Sequence, residues 1–180
     1  TNQGVFSNTF QFGSNNNGLS TFDALDEYYI PYECGDIQKL QVTSKVNNEI
    51  GNVMLAICTR QWVSIYIGEV QVLSSQSNAF LAQSTGYIGS IQSLKGNFGT
   101  INPESVTEYR GMVFCYDAYT GRVVQYASNG LFPISNYKMT RFWKQFSEQY
   151  VSMTRAEIEA LGSRPFVFTT VDPYHGELLI

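Results

Sequence analysis

The run from Tyr109 to Ser135, Y-R-G-M-V-F-C-Y-D-A-Y-T-G-R-V-V-Q-Y-A-S-N-G-L-F-P-I-S, constrains the fold more than any other stretch. Met112–Tyr116 and Arg122–Tyr126 are dominated by β-branched and aromatic residues, the side chains that suit a pleated, half-buried surface. Between them lies Asp117-Ala118-Tyr119-Thr120-Gly121. An aspartate can accept hydrogen bonds from the turn backbone that follows it, and a glycine takes a positive φ without a Cβ clash, so this spacing predicts a β-hairpin with a five-residue loop. A second turn, Ser128-Asn129-Gly130, leads into the extended Leu131-Phe132-Pro133-Ile134. Three short strands therefore follow one another as an antiparallel meander, and the chain is committed to a β-rich fold.

Other segments repeat the theme. Val53–Thr59 and Trp62–Gly68 are nearly continuous apolar runs separated by Arg60-Gln61, the pattern of a hairpin buried on both faces, its second strand continuing towards Val72. Ile37–Val46 alternates apolar and polar residues and reads as a half-buried strand after which Asn47–Asn52 forms a loop. Ser74–Asn78 is polar and loop-like, and glycines at 86, 89, 96 and 99 make a long helix in that region implausible. Phe166–Thr170 and Glu177–Ile180 form a further hairpin around Asp172-Pro173-Tyr174-His175-Gly176. Phe22–Tyr29, with acidic residues beside Phe22, Leu25 and Tyr28 and with Pro31 just beyond, is expected to be a short helix.

The strongest helical signal spans Lys138–Tyr150, where Met139, Phe142, Trp143, Phe146 and Tyr150 fall on one stripe. That stripe is expected to pack on the sheet holding Met112–Tyr126. Thr154-Arg155-Ala156-Glu157 is a capping box opening a second short helix that Gly162 closes. The first 21 residues, rich in Asn, Ser and Gly with Phe6, Phe10 and Phe12, are expected to lie as an extended arm anchored on a neighbour. Residues 22–180 then form a mainly β (α+β) domain with a helical insertion at about 138–161. Because the chain begins with Thr1 and stops within the apolar Leu178-Leu179-Ile180, it reads as a piece of a longer protein.

At 43% hydrophobic and 14% charged, 180 residues can bury a substantial core. A net charge of -4 supplies no general field for a polyanion, although Lys138, Arg141 and Lys144 could face DNA locally or simply be solvated. Twelve Tyr and twelve Phe against eleven Lys plus Arg suit strand positions, large wet interfaces or sugar contacts. Cys34, Cys58 and Cys115 match neither a disulfide framework nor a zinc knuckle, and Cys58 and Cys115 read as buried thiols. His175 is the only histidine, so a metal centre of two or three imidazoles cannot come from this chain, and no cofactor is expected. Phosphate-binding loops, dinucleotide fingerprints and serine-hydrolase elbows are absent from the sequence, as is any apolar run long enough to span a membrane. Asp117, Asp172 and Glu177 could supply a glycosidase carboxylate pair, but Asp117 and Asp172 each open a tight turn, a structural role for an aspartate.

The central meander, together with Ile65-Tyr66-Ile67-Gly68-Glu69, with Gly99-Thr100-Ile101-Asn102-Pro103-Glu104-Ser105-Val106 and with the tail from Thr170 to Ile180, resembles the muzzle or nozzle proteins of short-tailed, crAss-like bacteriophages, over roughly Val53–Ile180. The resemblance implies an incomplete β-propeller with a helical insertion, in which Ser93–Val106 crosses the propeller face and Asn102–Val106 anchors it. It also implies a non-enzymatic virion protein made in the bacterial cytoplasm: a homo-oligomeric ring at the tail exit, gating DNA release and touching adaptor proteins, fibres and, transiently, DNA. The alternative is a carbohydrate-binding propeller or adhesin. The structural and interface candidates are Phe6, Phe10, Phe12, Asp117, Gly121, Trp143, Asp172 and Tyr174.

Overall fold

The computed structural model describes residues 2–8, 12–13, 15, 17–43, 52–67, 88–153, 155–162 and 166–180. Phe10, Thr154, most of the Asn47–Asn52 loop, the continuation from Gly68 towards Val72 and the Ser74–Asn78 loop lie outside these residues.

The fold is mainly β, built from antiparallel sheets. Strand β1 (Gln3–Ser7) pairs with β2 (Phe22–Tyr29) as a two-stranded ribbon. Next, β3 (Ile37–Val42), β4 (Asn52–Cys58), β5 (Trp62–Ile67) and β6 (Ile88–Ser93) form a four-stranded sheet in chain order. A second four-stranded sheet, again in chain order, comprises β7 (Thr107–Tyr109), β8 (Met112–Asp117), β9 (Arg122–Ala127) and β10 (Gly130–Pro133). Helices α1 (Thr140–Val151) and α2 (Arg155–Ala160) follow, and β11 (Thr170–Asp172) pairs with β12 (Glu177–Leu179). No sheet closes on itself among the described residues.

Side-chain alternation stacks these pieces into layers. Leu55 and Ile57 of β4 and Trp62 of β5 leave one face of the first sheet and pack with Val113 and Cys115 of β8, so the two four-stranded sheets lie face to face. Ala56, Cys58, Val63 and Ile65 leave the opposite face and meet Tyr28, Ile30, Cys34 and Phe6, which places the β1–β2 ribbon over the outside of the first sheet. On the outside of the second sheet, Tyr116, Ala118 and Val123 pack with Trp143 and Tyr150 of α1 and with Val167 and Leu178. Burial on both faces explains why β4 and β8 read as unbroken apolar runs.

The Phe22–Tyr29 segment is a strand, which corrects the helix expected there. Its apolar residues at a three-residue spacing imitate a helical stripe, but pairing with β1 satisfies its backbone and places Tyr28 in the core. Phe6, partly buried, packs against the chain's own core, whereas Phe12 is 96% exposed. The strand β7, unmarked in the sequence reading, turns into β8 through Arg110 (φ 51) and Gly111 (φ 78). Positive φ at both central residues is the geometry of a two-residue type I′ hairpin, more often written Asn-Gly.

The expected helical stripe is only partly buried. Tyr150 and Trp143 face the sheet, but Phe142 is 54% exposed, Met139 44% and Phe146 37%. Ser147 completes the buried line at the i, i+4, i+7 spacing, donating from its hydroxyl to the Ala118 carbonyl.

Candidate functional site

The two stacked sheets are bridged at one end by the segment from Leu94 to Val106. Thr100 donates its N–H to the Cys58 carbonyl at 3.0 Å and its hydroxyl to the Tyr116 carbonyl at 2.9 Å, linking the first sheet to the second. Gly99 passes so close to the β4–β5 turn that a Cβ there would lie 2.2 Å from the Thr59 carbonyl oxygen. A 3-10 turn at Pro103–Ser105 follows, and the expected anchoring turn at Asn102–Val106 is held by buried hydroxyls. Ser105 Oγ donates to the Asn102 carbonyl (2.7 Å), Thr169 Oγ1 to the Ser105 carbonyl (2.8 Å) and Tyr150 OH to Asn102 Oδ1 (2.7 Å). A polar spine thus ties the bridging segment to α1 and to the segment leading into β11.

Asp117 joins this bridge to the central hairpin. Its Oδ1 accepts from the N–H groups of Tyr119 (2.9 Å) and Thr120 (3.2 Å), and its Oδ2 accepts from Thr120 Oγ1 (2.7 Å) and the Gly99 N–H (3.3 Å). Burial pushes its carboxyl above the usual aspartate range, opposed by these four donors. Gly121 closes the loop at φ 61, and a Cβ there would stand 2.9 Å from Lys144 Cα. The register pairs Asp117 with Arg122, so the loop proper is four residues, with Asp117 as the last strand position.

Around Asp117 opens a cleft of about 780 Å³ between the ends of the two sheets, with Glu33, Asp36, Arg60, Asn97 and Tyr119 among its lining residues. Tyr119 is 60% exposed. Asp172 and Glu177, the other acids considered for a carboxylate pair, do not line it; Glu33, Asp36 and Arg60 do, and sequence reasoning missed them. Glu33 and Asp36 meet Arg60 through the β3–β4 pairing, the Arg60 N–H donating to the Cys34 carbonyl at 3.0 Å, and the stacking of the first sheet on the second brings all three beside Asp117.

The remaining candidates are dispersed. Trp143 packs on Tyr116 with ring centroids 5.4 Å apart, a core contact. Asp172 opens the last hairpin, accepting from the Tyr174 N–H at 2.8 Å and bonding His175 Nδ1 at 2.6 Å; the His175 contact and the turn N–H groups hold its carboxyl below the usual range. Tyr174 is 89% exposed and stands edge-on to His175. Cys34, Cys58 and Cys115 are free and buried, and burial pushes the thiols of Cys58 and Cys115 up to about 12. Among the described residues no cluster of three or more His, Cys, Asp or Glu could hold a metal ion, and no helix is long and apolar enough to cross a membrane. No family model, curated protein or solved structure matches the chain.

Proposed function

We propose that the chain is a structural protein of a phage tail, resembling the muzzle or nozzle component, that works through protein interfaces in a ring at the tail exit. The observation that carries this reading is the pair of four-stranded antiparallel meanders, each in chain order and stacked face to face. Consecutive propeller blades have this form, so the meanders are read as two blades of an incomplete propeller. Further support comes from the outward aromatic surface: Phe12, Tyr32, Tyr137, Phe142, Phe168 and Tyr174 are all more than half exposed. Aromatic side chains bury much area for little lost rotamer freedom and are enriched in interfaces. Negative-stain electron microscopy of the concentrated chain should show closed rings around a central channel. Monomers at every concentration would oppose the proposal.

The cleft around Asp117 favours a second reading, a carbohydrate-binding module. Arg60 and Asn97 offer donors, Glu33 and Asp36 offer acceptors, and the exposed Tyr119 offers a ring on which a sugar could stack. A glycan-array signal abolished by Tyr119→Ala would support this alternative, and an empty array would remove it.

A further inference from the structure

We propose that the outward face of α1 docks, head to tail, into the acidic cleft beside the β1–β2 ribbon of a second copy of this chain. That cleft, about 650 Å³, is lined by Phe6, Asp23, Asp26, Glu27, Tyr29 and Ile88 among others. Residues 1–38 contain five acidic side chains and no Lys, Arg or His. The start of α1 has the opposite character. Lys138, Arg141 and Lys144 are exposed there with no acid among residues 138–144, and Glu148 is the only acid in the helix. Charge is matched by apolar surface: Phe142 and Phe146, which the chain's own core leaves 54% and 37% exposed, stand on the helix, while Tyr29 is 60% exposed at the cleft.

The layer order makes the partner a second copy. The ribbon covers the outer face of the first four-stranded sheet and α1 the outer face of the second, so two sheets separate them within one chain. Each copy therefore offers one surface of each kind at opposite ends of its stack. Joining them repeats the stack from copy to copy, a heterologous contact that generates rings when the rotation closes and filaments when it does not. The inference rests on the ring reading only in requiring that copies associate.

Charge reversal tests it. One variant carries K138E, R141E and K144E; a second carries D23K, D26K and E27K; a third carries all six. Sedimentation velocity should show each three-site variant weakened in self-association about 100-fold or more, because like charges then face each other across the contact. The six-site variant, and a mixture of the two three-site variants, should recover assembly, while melting curves confirm that every variant is folded. Association of wild type should also weaken as salt rises. Wild type that never associates overturns both this contact and the ring. Wild type that associates while the helix variant associates equally well overturns the contact alone, as does a helix variant whose sole defect is lost DNA binding.

Discussion

Replacing Gly121 by Ala should destabilise the chain through two separable effects. The residue has φ 61, where an L side chain costs roughly 1–2 kcal/mol. A Cβ at this position would also stand 2.9 Å from Lys144 Cα, 3.0 Å from Ser147 Cβ and 3.0 Å from the Trp143 carbonyl oxygen. Most of these atoms belong to the backbone of α1 and cannot rotate aside, so the helix must shift from the β8–β9 loop. Overpacking of this kind costs about 1–3 kcal/mol, giving a total of about 2–5 kcal/mol. Gly176→Ala supplies the control, since its φ is 71 but nothing lies within 4 Å of the added Cβ. It should lose only the conformational part, roughly 1–2 kcal/mol. Urea titration, followed by the fluorescence of Trp62 and Trp143 and by circular dichroism, gives both values. Equal losses for the two variants would refute the close approach of α1 to the hairpin loop.

Three further outcomes follow from the same geometry. Tyr150→Phe should cost about 1–3 kcal/mol in urea titration, because it strips the partner from the buried Asn102 Oδ1; no loss would mean that the bond is not formed. Phe146→Ala, at a ring 37% exposed, should cost about 1–2 kcal/mol, less than full burial would give, and a loss above that range would place the ring deeper in the core. The Cys115 thiol, raised from 9.0 to about 12 by burial, stays protonated in the folded chain after the unfolded chain has ionised, so its contribution is present below pH 9 and lost as pH rises towards 12. Cys115→Ala should therefore flatten the decline of stability in that window by up to about 1.4 kcal/mol per pH unit, read from urea titrations at several pH values, and an unchanged slope would contradict the burial of an ionisable thiol.

The hairpins were the most legible part of the chain, because each is written locally. Asp117 and Asp172 lie where the following backbone needs an acceptor, and Gly121 and Gly176 where φ is positive. Double-faced burial was equally plain in the apolar runs of β4 and β5, while that of β8 was not read from its residues. The Phe22–Tyr29 strand was hidden because its apolar residues fall at a three-residue spacing, and pairing with β1, which no local pattern announces, overrode that spacing. Ser147 was hidden by its polarity, although a small side chain is what lets α1 approach the Ala118 carbonyl. The cleft residues Glu33, Asp36 and Arg60 carry no local signal, since only the stacking of two sheets brings them beside Asp117.

The proposal of a tail-exit protein is tested most directly by immunogold electron microscopy of intact virions, using an antibody raised against the 180-residue chain. The account predicts gold confined to the distal end of short tails. Virions without label, or label on the capsid, would contradict it.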